Sequence, residues 1–259
     1  GDFEKANFPI GVEGGKTSTC PTQNLMEAYD MKDGTPFVWN NQSNPYDNRD
    51  PRMKYTIVCN EMKWPVDPVE IWEGGTNGLP LQNATTTGYY LKKYVNNTIS
   101  FEAGSTVTKK QHNWVLFRYG EILLNYAEAM INAFHDPNYK DAVYNMSARE
   151  AVNQIRGRTN ISLPGFPSDI TEKDFVKRLK NERRVELAFE GHRFWDVRRW
   201  KELGQTANIY GVKITKNNEV ISYEKFLLET RAVTDNMYFY PIPNTERFKN
   251  PNLGQNLGW

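Results

Sequence analysis

The residues best suited to chemistry lie in one charged segment, NERRVELAFEGHRFWDVRRW, residues 181–200. It holds three glutamates and an aspartate beside five arginines and a histidine. Two carboxyl groups about 5–10 Å apart across an open cleft can hydrolyse a glycosidic bond, and Glu182, Glu186 and Asp196 would supply them. The same carboxyl groups form a structural network instead if arginines neutralise them. The segment therefore fits either a glycoside hydrolase or a set of buried ion pairs.

A helical wheel favours the structural interpretation. With Phe175 at zero, Phe189 falls at about −40° on a wheel of about 100° per residue. Glu182, Glu186 and Glu190 fall at about −20°, 20° and 60°, inside the same apolar arc. A buried carboxylate without a partner costs several kcal/mol. We therefore expect these three glutamates to be paired with cations.

The nearest cations in the sequence are the arginines of the segment itself. Guanidinium groups hold a carboxyl pKa down, which does not suit a catalytic acid that must carry a proton near neutral pH. We predict no catalytic residue here. The predicted structural ion-pair network consists of Glu182, Arg183, Glu186, Glu190 and Arg193, with Arg184, Arg198 and Arg199 as further cations.

Composition excludes several other functions. The 259 residues carry a net charge of +1, which gives no electrostatic basis for binding nucleic acid. Cys20 and Cys59 lie far from each other and from the three histidines, so no zinc spacing exists and two free thiols are expected. The segment DNRDPR (47–52) lacks the spaced ligands of a calcium loop. We predict neither a metal nor a cofactor, and no apolar run reaches the roughly 20 residues of a membrane span.

The elements that must position the charged segment are mainly helices. An apolar stripe at 3–4 spacing predicts a helix over 114–134, with Leu116 on its buried face. A second helix is expected from Asp136 to about Arg158, burying Val143 and Val152. A third begins after a cap at Thr171. The first two resemble a tetratricopeptide hairpin, which needs further helices to close its core.

The first 112 residues have a different character. A short helix fits 21–31, and alternating polarity predicts strands at 53–59 and 89–95. Between the strands lies a long segment rich in Gly, Pro, Asn and Thr, which predicts a loop. Loops this long in a compact domain are usually functional or mobile.

Five segments resemble, in the same order, the SusD/RagB family of glycan-binding surface lipoproteins from Bacteroidetes outer membranes. They are PTQNLMEAYDMKDG (21–34), YDNRDPRMKYTIVCN (46–60), FRYGEILLNYAEAMINA with AREAVNQIRGRTN (117–133 and 148–160), the charged segment (181–200) and MYFYPIPNTERFKNPNLGQNLGW (237–259). The resemblance implies a mainly α fold of tetratricopeptide-like helical hairpins, a SusD-like α/α superhelix with an irregular loop-rich face and a few short strands.

The resemblance also implies a function and a location. Such proteins bind oligosaccharide at the cell surface without cleaving it and deliver it to a SusC-like TonB-dependent transporter in the outer membrane. Family members begin with a lipidated N-terminus and several helices that this sequence does not show, so the whole chain, 1–259, is expected to be the C-terminal region. We expect a loop-rich ligand side at 1–112, a helical scaffold at 113–200 and a closing segment at 201–259.

The glycan-binding residues implied are aromatic rings and amides in loops, because sugars present flat C–H faces and hydroxyl groups. Trp114, Trp195 and Trp200 are expected to pack instead. The predicted ligand residues are Trp39, Trp64, Trp72, Asn77, Tyr89 and Tyr90. The alternatives are the glycoside hydrolase that uses Glu182, Glu186 or Asp196, and a helical scaffold that binds a protein.

Overall fold

A computed structural model of the chain describes residues 2–12, 14–40, 44–99, 101 and 112–259. The first half holds short elements: α1 (Asp2–Asn7), α2 (Gln23–Met26), α3 (Pro51–Thr56), β1 (Ile57–Val58) and β2 (Tyr90–Leu91). The second half holds α4 (Tyr119–Phe134), α5 (Ala148–Arg156), α6 (Glu172–Glu186), α7 (His192–Arg199), β3 (Asn208–Asn217), β4 (Val220–Thr230) and α8 (Asn244–Lys249). The mainly helical class is confirmed.

The three long helices pack as a layer around one core. α4 contacts both α5 and α6. The residues of this core are almost fully buried, and include Leu124, Ala127, Ile131, Val152 and Phe175. Sequence signals set two of the helix starts: the Ser147 hydroxyl accepts from the Glu150 amide, and the Thr171 hydroxyl accepts from the Asp174 amide. The cap at Thr171 was predicted.

The helical hairpin is shorter than predicted. α4 begins at Tyr119, and Leu116 before it is exposed rather than buried. α5 begins only at Ala148, since the Ser147 cap and the Asp141 turn stop the helix from starting earlier. The Asp141 carboxylate accepts from the Val143 amide at 2.8 Å, which holds Val143 in an exposed turn. The predicted burial of Val143 is therefore wrong.

A second core lies under the loop-rich half. β1 pairs with β2 in antiparallel register, as Ile57 with Leu91 and Val58 with Tyr90. The strand predicted at 53–59 is mostly helix, because Asp50 caps the amide of Arg52 and Pro51 fits the first turn. Only its last apolar residues form the strand. The segment between β1 and β2 holds no named helix or strand in the described chain, as predicted.

A β-hairpin that the sequence analysis did not predict covers this second core. β3 pairs with β4 from Asn208–Thr230 to Asn217–Val220. Val212, Ile214 and Tyr223 point into the core. The hairpin contacts the loop at Gly88, which has a positive φ of 82°. A Cβ at this position would lie 2.4 Å from the Val212 carbonyl oxygen. Glycine is therefore required at this contact.

Candidate functional site

Two glutamates of α6 and one that follows it form a charge cluster with cations from distant parts of the chain. We define it as Glu182, Glu186 and Glu190 with the cations that surround them: Arg52, Lys93, Arg118, Arg156 and Arg158. Glu182 and Glu186 are only 3% and 5% exposed. The inward orientation predicted from the helical wheel is confirmed.

Each glutamate of the cluster has at least two cationic partners. The Glu186 carboxylate accepts from Arg118 at 2.7 Å, from Arg158 at 2.7 Å and from Arg52 at 2.9 Å. Glu182 accepts from Arg156 at 2.7 Å and also from Arg52. Charge-assisted bonds of this length are the strong class of hydrogen bond. Arg52 ties the two carboxylates together and is itself held by Asp50 at 2.7 Å.

The third glutamate joins the helical layer to the loop-rich half. Glu190 accepts from Lys93 at 2.6 Å and from Arg118 at 2.6 Å. Lys93 also donates to the Ala188 carbonyl oxygen at 2.8 Å. Between α6 and α7 the chain turns through positive φ angles at Phe189 and Gly191. This break leaves Phe189 partly exposed, although the helical wheel placed it in the apolar arc.

The electrostatics of the cluster oppose acid–base chemistry. Burial alone would raise the pKa of Glu186, but Arg52, Arg118 and Arg158 outweigh it and lower that pKa to about 2. The pKa of Glu182 is also lowered, because Arg52 and Arg156 outweigh the effect of burial. A carboxyl with so low a pKa holds no proton near neutral pH and cannot act as a general acid. The ion pairs instead join α6 to distant segments of the chain and stabilise their packing.

Two arginines of the predicted network lie elsewhere. Arg183 pairs with Asp196 at 2.8 Å and donates to the Asn125 side chain at 2.6 Å, so it forms a separate ion pair that fixes α7 against α6. Arg193 donates to Gln205 at 2.9 Å and touches none of the three glutamates. The predicted pairing of Arg183 and Arg193 with the three glutamates is wrong. Arg183 follows Glu182 directly on α6, so its side chain leaves the helix about 100° further round. Arg193 lies beyond the break at Gly191, which turns the chain away from the glutamates.

The cations that pair with the glutamates come from segments that lie far away in the sequence. Arg52 lies 130 residues before Glu182, and Arg118 lies 68 residues before Glu186. A signal was present: the segments NRDPR, FRYGE and IRGRTN, already noted for their resemblance, supply these arginines. Nothing in their spacing alone shows that they converge.

The loop-rich half carries an open cleft of about 590 Å³. We call it the loop cleft. Its wall includes two of the predicted ligand residues, Trp64 and Asn77. The remaining lining combines apolar and polar groups and includes Phe8, Val66, Asp67, Thr76, Asn97, Thr98 and Phe101.

The predicted ligand residues at this cleft are themselves largely covered. Trp64 is 7% exposed, with Lys92 Nζ 5.1 Å from its ring centroid. The Asn77 side chain clamps the loop: its Oδ1 accepts from the Glu70 amide at 2.8 Å, and its Nδ2 donates to the Ile10 carbonyl oxygen. Both residues shape the cleft more than they face it.

The other predicted ligand residues lie away from this cleft. Tyr89 and Tyr90 are fully buried, and their hydroxyl groups donate to Gln23 Oε1 and to the Asn77 carbonyl oxygen. Both are core residues with no exposed ring surface, so their predicted stacking on a sugar is corrected. Trp72 is half-buried beside Lys216, 4.7 Å from its ring centroid, and Trp39 packs edge-on against Phe37.

Two tryptophans that were expected to pack are open to solvent. Trp114 is 88% and Trp195 58% exposed, which contradicts the packing predicted for both. Trp195 stacks edge-on with Phe194, and Phe194 lies parallel to Tyr240 at 5.9 Å between ring centroids. Trp200 is half-buried, and its indole donates to Glu128 at 2.7 Å.

The described residues contain no group of three or more His, Cys, Asp or Glu side chains placed to hold a metal ion. Within the same part of the chain, no helix has both the length and the apolar character to cross a membrane. Cys20 and Cys59 are free thiols, as expected. Burial raises the pKa of Cys59 to about 12, so this thiol is unreactive.

Comparison with known sequences assigns the chain to a family. The SusD family matches residues 5–259, and the chain belongs to this family. SusD-like protein P2 of Formosa agariphila is 29% identical over 159 residues, covering 60% of this chain and 27% of the relative. SusD-like protein P38 of the same organism is 30% identical over 151 residues, covering 56% and 24%. The chain thus matches about a quarter of each relative's length.

Solved structures agree with this assignment. A SusD-like protein from Bacteroides fragilis superposes with a TM-score of 0.79 at 26% identity, covering 99% of this chain and 51% of that protein. A SusD-like carbohydrate-binding protein from the same organism gives a TM-score of 0.74 at 25% identity, covering 97% and 51%. The SusD-like fold implied by the resemblance is therefore confirmed, and the chain spans about half the length of these structures.

Proposed function

We propose that this chain binds an oligosaccharide in the loop cleft and does not cleave it. Membership of the SusD family supports the proposal, as does the similarity to a SusD-like protein that is described as carbohydrate-binding. The observation that carries it is the loop cleft itself, an open space of about 590 Å³ with apolar and polar groups side by side.

The lining of the loop cleft matches the two faces of a sugar ring. Phe101 and Val66 offer apolar surface to C–H groups, and Val66 is 63% exposed. Asp67 and Asn97 are exposed at the rim and can exchange hydrogen bonds with hydroxyl groups. Trp64 and Asn77 lie in the wall of the cleft and fix its shape.

Paired glutamates support a binding rather than a hydrolytic role. Glu182 and Glu186 are buried and bonded to arginines, and Asp196 is bonded to Arg183 and Arg199. A retaining or inverting hydrolase needs one of its carboxyls protonated beside an open cleft. The three acids of the hydrolase alternative do not meet this requirement.

We further propose that the bound oligosaccharide passes to a SusC-like TonB-dependent transporter at the bacterial outer membrane, where an N-terminal lipid anchor holds the whole protein. This proposal extends the family resemblance. Co-purification of the full-length protein with a SusC-like transporter would test the partnership. Absence of the full-length protein from outer-membrane fractions would contradict the proposed location.

Binding can be tested by calorimetric titration with a panel of neutral oligosaccharides. We expect at least one to bind, and we expect the double variant Asp67→Ala, Asn97→Ala to lose about tenfold in affinity, since it removes two hydrogen-bonding groups worth about 0.5–1.5 kcal/mol each. A matched control, Asp169→Ala with Asn252→Ala, removes an exposed acid and amide outside the cleft lining and should bind normally.

Two results would overturn the proposal. One is that no glycan of the panel binds, or that the cleft variant binds as well as the control. The other is release of reducing ends from an oligosaccharide that disappears in the Glu186→Gln variant, because this would show hydrolysis at the charge cluster.

A further inference from the structure

A second cleft, of about 470 Å³, lies on the other side of α6 from the charge cluster. Its walls come from α6, from the segment at Phe37 and from the turn that holds Gln205. We call it the basic cleft. Six of its lining residues are cations: Lys173, Lys177, Arg178, Lys180, Arg184 and Arg193.

The acidic residues of the basic cleft are already neutralised. Glu27 pairs with Lys225 at 2.8 Å, Asp30 with Arg156 at 3.3 Å, and Glu202 with Lys180. Asp30 also lies 3.7 Å from Arg178. Two of the six lining cations, Arg178 and Lys180, are therefore paired. The other four form no ion pair within the described residues, so the cleft keeps a surplus of positive charge.

The surplus is centred on two arginines. Arg184 lies in the wall of the cleft, and within the described chain its guanidinium makes no hydrogen bond or ion pair. Among the same residues, the Arg193 guanidinium donates to the neutral Gln205 and forms no ion pair, although Asp196 and Glu202 are near enough to offset part of the lowering of its pKa by burial. Burial and the charge of Arg193 lower the pKa of Arg184 to about 10, although the charge of Glu27 offsets part of this effect. The two cations therefore disfavour each other. A partly buried cation that is not bonded to a carboxylate is costly.

The rest of the basic cleft suits a ligand larger than a single ion. Phe37 and Val176 give it apolar walls, and Lys173 and Lys177 are exposed at its rim. Arginine forks bind planar carboxylates and tetrahedral phosphates through two parallel hydrogen bonds, and a sulfate group has the same tetrahedral shape as phosphate. The lysines at the rim add positive charge but do not fix the orientation of the ligand.

We propose that the basic cleft binds an oxyanion, a carboxylate or sulfate group, between Arg184 and Arg193. Two sources share this chemistry: a free anion such as inorganic sulfate, and an acidic saccharide that carries uronate or sulfate ester groups. The site is separate from the loop cleft and needs no ligand there. It adds acidic saccharides to the neutral ones proposed for the loop cleft.

The test is calorimetric titration of the chain with three probes at low ionic strength: potassium sulfate, a galacturonate trisaccharide and a neutral trisaccharide. We expect an anionic probe to bind and its affinity to fall as salt is added. Arg184→Gln and Arg193→Gln should each lower that affinity about tenfold, because each removes a charged bidentate contact. Lys173→Gln should lower it only two- to threefold, roughly the effect of one exposed charge.

Arg231→Gln is the matched control, since it removes one exposed arginine charge outside the cleft lining. It should leave binding unchanged. Tighter binding of the trisaccharide than of sulfate would identify an acidic saccharide as the source, and equal binding would identify a free anion. The Asp67→Ala, Asn97→Ala variant should bind the anionic probe normally, which separates this site from the loop cleft.

The proposal is overturned if neither anionic probe binds, or if folded Arg184→Gln and Arg193→Gln proteins bind the anion as tightly as the control. It is also overturned if these two variants weaken binding of the neutral trisaccharide as much as binding of the anion. Far-ultraviolet circular dichroism of each variant establishes that it is folded. Loss of neutral-glycan binding at the loop cleft would leave this result unaffected.

Discussion

Glu186 and Arg184 are two residues apart on α6, yet they meet opposite electrostatic conditions. Glu186 lies in the charge cluster and accepts bonds from three arginines. Arg184 lies in the wall of the basic cleft, where the neighbouring carboxylates are bound to other cations. Removing one partner of a buried ion pair destabilises the fold. A buried charge without a partner lowers stability and leaves its hydrogen-bond donors free to bind a ligand.

Removing a paired acid should have the largest effect. Glu186→Ala leaves Arg52, Arg118 and Arg158 without their shared carboxylate. We expect the free energy of unfolding to fall by about 3–5 kcal/mol, the cost of breaking a buried ion pair. Urea unfolding followed by tryptophan fluorescence measures this loss. Glu246→Ala, which removes an exposed glutamate, is the control and should change stability by less than about 0.5 kcal/mol.

Acid should weaken the same cluster by a slightly smaller amount. The pKa of Glu186 is lowered from 4.5 to about 2 in the folded chain. Its contribution is therefore complete above pH ~4.5 and is lost as the pH falls through about 2. This lowering of the Glu186 pKa corresponds to about 3 kcal/mol in the free energy of unfolding. Urea unfolding between about pH 6 and 2.5 should show this loss, and Glu186→Gln should show a shallower dependence; equal slopes would contradict the account.

Removing the unpaired cation should have the opposite sign. We expect Arg184→Gln to keep or raise the free energy of unfolding, by up to about 1 kcal/mol, because it removes a partly buried charge that has no carboxylate partner. Thermal unfolding at low salt measures the change. Conversely, a loss as large as that of Glu186→Ala would show that Arg184 belongs to a structural network, and the comparison of the two charges would fail.

The smallest effect is expected at an exposed aromatic residue. Trp195 is 58% exposed, although it lies in the charged segment between Arg193 and Asp196. Trp195→Ala should change the unfolding free energy by less than about 1 kcal/mol, since little apolar surface leaves the core. Chemical unfolding measures it. A loss of several kcal/mol would mean that the ring is buried in solution.

Local signals in the sequence identified much of the helical layer. The apolar spacing in α4 and the Thr171 cap depend on neighbours three or four residues away, so the sequence shows them directly. The same reasoning placed Glu182 and Glu186 on the buried face. It failed at Phe189, where the chain leaves the helix through a positive φ that the wheel cannot represent.

Long-range contacts could not be predicted in this way. Arg52 and Arg118 reach the glutamates from 130 and 68 residues away, so nearer arginines were chosen in error. The hairpin of β3 and β4 was missed even though its alternating pattern is local. Tyr89 and Tyr90 look like loop aromatics in sequence, and both are buried in the structure. Tyr89 bonds to Gln23, 66 residues earlier, a contact that the local sequence does not show.

The most direct test of the central claim is an NMR titration of the glutamate side-chain carboxyl groups, with Glu186→Gln used to assign the Glu186 signal. The account predicts that this carboxyl stays ionised from neutral pH down to about pH 3 and titrates near 2. A midpoint at or above the ordinary value near 4.5 would show that the arginines do not lower the pKa of Glu186. Glu186 would then again be a candidate general acid.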